Sequence, residues 1–122
     1  MKDDIVKRFA GNPILTKNDI PYPVETVHNA AVIKRADDYI MLFRSHLRTG
    51  RSIIGLARSV DGFKFEADPE PFLMPATDGP FAAYEEFGVE DPRVTKVVLD
   101  LNGRPPRCQH RRSHSEMSRF PR

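Results

Sequence analysis

Glu90 and Asp91 stand side by side in FGVEDPRV, residues 87–94, and are followed at once by Pro92 and Arg93. Adjacent like charges repel, so a purely structural design seldom chooses the pair. A carboxyl group at a cavity can donate or take a proton, and an arginine beside it can hold a second carboxylate by an ion pair. Pro92 pushes Asp91 towards an extended backbone, and in an extended segment successive side chains point to opposite sides. One carboxylate can then face a cavity while the other meets a neighbour such as Arg93. An Asp-Pro turn carrying a surface ion pair is the alternative that these residues alone leave open.

A second polar pair emerges from the elements upstream. Four short runs rich in β-branched and aromatic residues follow one another: VHNAAVIK (27–34), YIMLFRSH (39–46), SIIGLARS (52–59) and FKFE (63–66). Turn residues separate them, among them Thr49-Gly50 and Asp61-Gly62, and each run is too short for an ordinary helix. The spacing predicts a four-stranded antiparallel meander over 27–66, the size of one propeller blade, or else a meander in a sandwich or barrel. If the tight turn at 35–38 sets Lys34 opposite Tyr39, counting outward pairs Asn29 directly with Arg44. Direct partners share a face, so an amide and a guanidinium converge at one sheet end. A bulge would break that register, and a solvated polar pair is the plainer alternative. His28 falls on the opposite face and reads as structural. Residues 1–26 read as an irregular arm, and GVEDPRVTKVVLDL as the start of a further strand, 89–98.

Composition sets the outer bounds. The 122 residues, 39% hydrophobic and 30% charged, suit one soluble globular domain. No apolar run reaches the roughly 20 residues of a membrane span, and the N-terminus lacks the apolar core of a signal peptide. The single Cys108 fits a reducing compartment, so the expected location is the cytoplasm, with no membrane partner. The net charge of +2 is uneven, because 101–122 carries six Arg against Glu116. That segment has no hydrophobic period and reads as a basic disordered tail. Its arginines raise nucleic-acid binding as a rival function, although Phe120 is the sole aromatic residue among them. Cys108, His110 and His114 lack a fourth ligand for a zinc site, and no metal is expected.

The succession NPILTKNDIPYP, VHNAAVIK, YIMLFRSH, SIIGLARSVDGFKF and GVEDPRVTKV resembles the N-terminal part of the family 130 glycoside hydrolases and phosphorylases, from about residue 8 to residue 98. The Glu-Asp-Pro-Arg segment after a glycine is the most specific element. The resemblance implies an all-β fold, a five-bladed β-propeller, of which this chain holds about one blade and the start of the second. It implies Asp91 as the general acid, passing its proton through a sugar hydroxyl, and Asn29 and Arg44 as sugar-binding groups. Glu90 and Arg93 then support the site. The implied reaction is inverting phosphorolysis of β-mannosides to mannose 1-phosphate, with inorganic phosphate as co-substrate and no cofactor. Hydrolysis by the same family is the first alternative, and a noncatalytic carbohydrate-binding remnant the second. After Lys96 the resemblance fades, which suggests a truncated or frameshifted reading frame whose last residues are not family sequence. Such a piece is expected to be inactive alone, to self-associate through open strand edges, and to leave Asp91 with an ordinary pKa of about 3.9.

Overall fold

The computed structural model describes residues 5–97 and 101–104. It is all-β: a single four-stranded antiparallel sheet in the order β1-β2-β3-β4. The strands are β1 His28–Lys34, β2 Tyr39–His46, β3 Ser52–Ser59 and β4 Glu66–Ala67. The meander expected over 27–66 is therefore present. Residues 105–122 of the basic tail, with Cys108, His110 and His114, lie outside the described residues.

Local chemistry explains the turns. Arg35 N–H donates to the Asp38 carbonyl at 2.7 Å, and the two side chains form an ion pair over the same turn. Between β2 and β3, Leu47 N–H donates to the Arg51 carbonyl at 2.9 Å, and Gly50 takes φ +84°. The third connection corrects the sequence reading. Asp61 Oδ1 accepts the backbone N–H groups of Phe63 and Lys64, each at 2.8 Å. Those amides face the turn instead of β3, so the fourth strand starts at Glu66 and not at Phe63.

Ile54 and Leu56 of β3 are buried on one face of the sheet, and the main hydrophobic cluster lies on the other. Met41 and Phe43 on β2 and Ala57 on β3 are buried there, and Met41 pairs directly with Ala57, Phe43 with Gly55. Gly55 is a packing requirement. A Cβ there would lie 2.2 Å from the Phe43 ring and 2.5 Å from the Tyr22 hydroxyl. The N-terminal arm is more ordered than its composition suggests, because it lays Leu15 and Ile20 onto this face. A short 3-10 turn at Lys17–Asp19 fixes its path, where Thr16 N–H and Oγ1–H both donate to Asp19 Oδ2 at 2.7 Å.

The second correction concerns residues 89–98. Val89–Val97 form no regular strand and begin no second sheet. Instead the chain touches the edge of β3: Ser52 N–H donates to the Phe87 carbonyl (3.1 Å) and Val89 N–H to the Ser52 carbonyl (3.0 Å). Gly88 makes this approach possible, since it sits at φ +117° and a Cβ would meet Ser52 N at 2.3 Å. Beyond it, the turn at Asp91 and the missing N–H of Pro92 end the pairing. Arg51 anchors the loop before it, donating to the carbonyls of Glu86 (3.0 Å) and Glu85 (3.2 Å).

Candidate functional site

The bridge at Gly88 delivers Glu90 and Asp91 to the end of the sheet where β1 begins and β2 ends. Arg44, on β2, is the hub. Its Nη1 lies 3.3 Å from Asp91 Oδ1, its Nη2 donates to Glu90 Oε1 at 2.5 Å, and its Nε donates to Ser52 Oγ at 3.1 Å. Ser52 Oγ in turn donates to Glu90 Oε1 at 3.2 Å. The Arg44 side chain is 15% exposed, while those of Glu90 and Asp91 are about half exposed at 49% and 48%. The guanidinium is thus set into the sheet, and the carboxylates face solvent.

Asn29 completes the cluster by donating Nδ2–H to Asp91 Oδ1 at 2.7 Å. Asn29 and Arg44 do converge, but not through the expected pairing. His28, not Asn29, stands opposite Arg44, and the register shifts between His28 and Ala31. Lys34 does face Tyr39, so the count fails only at the bulge. Asn29 there takes φ +48°, and this left-handed turn swings its amide onto Asp91.

Two further expectations are corrected. Asp91 is not extended but sits at φ +46°, despite the following proline. Glu90 and Asp91 consequently do not point apart; both grip the same guanidinium. His28 is also on the Arg44 side, its ring 5.0 Å from that of His46. Arg93 turns back on its own segment, its Nη1 3.3 Å from the Asp91 carbonyl and 3.0 Å from that of Pro92.

The electrostatics follow from these contacts. The Asn29 hydrogen bond, and after it the Arg44 hydrogen bond and charge, hold the Asp91 carboxyl below the usual carboxylate range. The ordinary value expected for an open rim is therefore corrected downward. Burial, followed by the nearby His46 and Arg44, pushes His28 below the usual imidazole value.

His46, Thr26 and Ser52 belong to this site and were not singled out from sequence. The signal was available for two of them. His46 is two residues beyond Arg44 on one strand, hence on the same face, and Ser52 is its direct partner across the hairpin. Thr26 sits in the arm, and no periodicity points to it. Among the described residues, no group of three or more His, Cys, Asp or Glu could hold a metal ion, and no helix is long and apolar enough to cross a membrane.

A guanidinium that meets two half-exposed carboxylates, and an amide that meets one of them, form a polar, acid-rich cluster at the end of an all-β sheet. Comparison with known proteins names the lineage. The family model for glycoside hydrolase family 130, described as beta-1,4-mannooligosaccharide phosphorylase, matches residues 2–101, and the chain belongs to this family. A beta-1,2-mannobiose phosphorylase from Thermoanaerobacter is 33% identical over 104 residues, covering 74% of this chain and 33% of that protein. Another, from Listeria innocua, is 47% identical over 49 residues, 40% of this chain and 12% of the relative. A solved structure assigned as a glycoside hydrolase, from Parabacteroides distasonis, superposes with a TM-score of 0.58 at 26% identity, over 80% of this chain and 32% of that one. The chain spans a third or less of the length of these relatives.

Proposed function

We propose that the chain carries the proton donor and part of the sugar-binding wall of a β-mannoside phosphorylase. In this reading its four-stranded sheet is the first blade of a five-bladed propeller. Asp91 is the general acid, Asn29 and Arg44 bind the sugar at the cleaved bond, and Glu90 and Arg93 hold the segment in place. In inverting phosphorolysis the proton goes to the leaving glycosidic oxygen as C1–O breaks, and phosphate forms the new bond to C1. Phosphate is already an anionic nucleophile, so the base that an inverting hydrolase needs to activate water is not required.

The observation that carries this reading is the shared engagement of Asp91 Oδ1 by Asn29 and Arg44. Those contacts hold the Asp91 carboxyl below the usual carboxylate range and so favour the ionised form, which cannot donate a proton. A sugar whose hydroxyls take over Asn29 and Arg44 removes both influences, and Asp91 then gains affinity for a proton as substrate arrives. Charge supports a neutral ligand as well. Arg44 is one cation facing two carboxylates, which would repel phosphate. The phosphate is therefore held by other groups, supplied by the length of the relatives that this chain does not span.

The test is a chimera in which this chain's residues 2–101 replace the corresponding third of the Thermoanaerobacter relative. It should release mannose 1-phosphate from β-1,2-mannobiose and phosphate, and Asp91→Asn should cut that rate about 10²–10⁴-fold, the usual worth of a general acid. Near-normal turnover by the Asn variant would remove Asp91 from the role.

A further inference from the structure

We propose that His46 is a positioning residue for Arg44, acting as a neutral imidazole with its proton on Nδ1 and its Nε2 lone pair turned to the guanidinium. The role attached to Arg44 rests on the sugar-binding reading above; the geometry of the histidine does not.

His46 Nε2 lies 3.3 Å from Arg44 Nη2, and His46 Nδ1 lies 3.1 Å from Thr26 Oγ1. A guanidinium offers donors and no acceptor, so the first contact is a hydrogen bond only if Nε2 accepts. A neutral ring with Nε2 as acceptor carries its hydrogen on Nδ1, which then donates to Thr26 Oγ1. That hydroxyl also accepts the backbone N–H of His46 at 3.0 Å, and its two lone pairs accommodate both donors. The other tautomer, or the imidazolium, would set N–H against N–H at the Arg44 contact. One arrangement satisfies every partner.

The consequence is a guanidinium fixed on all sides. Nε donates to Ser52, Nη1 reaches Asp91, and Nη2 is shared between Glu90 and His46. The groups that face the imidazole are Arg44 on its own strand, His28 on β1, and the Glu90 and Asp91 carboxylates across Arg44. Thr26 ties this chain of contacts to the N-terminal arm, which also donates Glu25 N–H to the His46 carbonyl at 2.8 Å. The arm therefore sets the plane of the guanidinium that addresses Asp91, and with it the direction in which Nη1 would meet a sugar hydroxyl.

Long-range proton–nitrogen NMR on the unsubstituted chain at neutral pH reads the tautomer. A protonated Nδ1 and a bare Nε2 are expected; a protonated Nε2 overturns the proposal. The Asp91 titration then separates positioning from packing. His46→Gln keeps an acceptor towards Arg44 and should keep Asp91 low. His46→Phe fills the same space without an acceptor and should let the Asp91 midpoint rise towards the ordinary carboxylate range. An unchanged midpoint in His46→Phe, or an equal rise in His46→Gln, overturns the proposal. The tautomer measurement stays decisive if either variant fails to fold, and neither experiment uses sugar, so failure of the mannoside reading leaves both intact.

Discussion

Asn29 and Asp91, separated by 62 positions, are joined by a 2.7 Å hydrogen bond and are, among the described residues, the two non-glycine residues with positive φ, +48° and +46°. A left-handed backbone costs an ordinary residue roughly 1–2 kcal/mol, less for Asn and Asp, whose short side chains can bond locally. Here the bond is long-range, and each strained turn aims its side chain at the other. Strain of this kind persists where the surroundings over-determine it, and it gathers at functional sites.

Replacing Asn29 separates the amide from the backbone. Asn29→Gly keeps the left-handed turn at no steric cost but loses the hydrogen bond, and the Asp91 midpoint should rise. Asn29→Ala loses both, and should be less stable than the glycine variant by about 1 kcal/mol. Equal stability of the two by urea denaturation would show that the turn relaxes without cost.

Gly88→Ala should detach the carboxylates without touching them. The added methyl meets the Ser52 backbone, and φ +117° is closed to alanine. A loss of about 1–3 kcal/mol is expected from overpacking and backbone strain together. Amide exchange at Ser52 and Val89 should accelerate, because their mutual bonds hold the bridge. Unchanged protection at both amides would mean that the approach is looser than described.

Acid should weaken the fold in two stages. His28 is held below its usual 6.5 by burial first, so the unfolded chain binds its proton before the folded one. Its contribution is complete above that value and is lost as pH falls through the folded pKa. Asp91 is lowered by Asn29 first and then Arg44, Asp61 by the Lys64 and Phe63 amides, Asp38 by Arg35 and Asp19 by Thr16. Their contribution is present above the usual 3.8 and is lost as pH falls through the lowered values. Denaturation midpoints should therefore drop modestly once the pH falls below 6.5 and further once it falls below 3.8. A midpoint that rises on acidification would contradict these shifts.

The meander was legible because period-two runs and turn residues are local signals. The Lys34–Tyr39 pairing followed from a four-residue turn. What failed was long-range or side-chain driven. Asp61 capturing the Phe63 and Lys64 amides delayed β4, and nothing in Asp-Gly spacing announces that. The bulge after His28 has no glycine to mark it, because Asn29 supplies the left-handed turn itself. Asp91 broke the extended preference that Pro92 imposes, since its carboxylate gains Asn29 and Arg44 only in the turned form. The convergence of Asn29 and Arg44 was anticipated, by a register that the bulge replaces.

The core makes a simpler prediction. Phe43 is fully buried against the arm and Gly55, and Phe43→Ala should cost about 3–5 kcal/mol. Loss of that size is a large share of the stability of a small domain, so the sheet's far-UV signal should melt at markedly lower temperature. A near-native melting curve would place the core elsewhere.

The account turns on whether a mannoside takes Asn29 and Arg44 away from Asp91. The direct measurement is the Asp91 carboxyl titration by carbon-13 NMR, in the chain alone and with saturating β-1,2-mannobiose. The expected result is a midpoint below the ordinary carboxylate range in the free chain and a clear rise when the disaccharide binds. A midpoint that stays low with the disaccharide bound, or binding that leaves the Asn29 amide and Arg44 Nε signals unmoved, would contradict it.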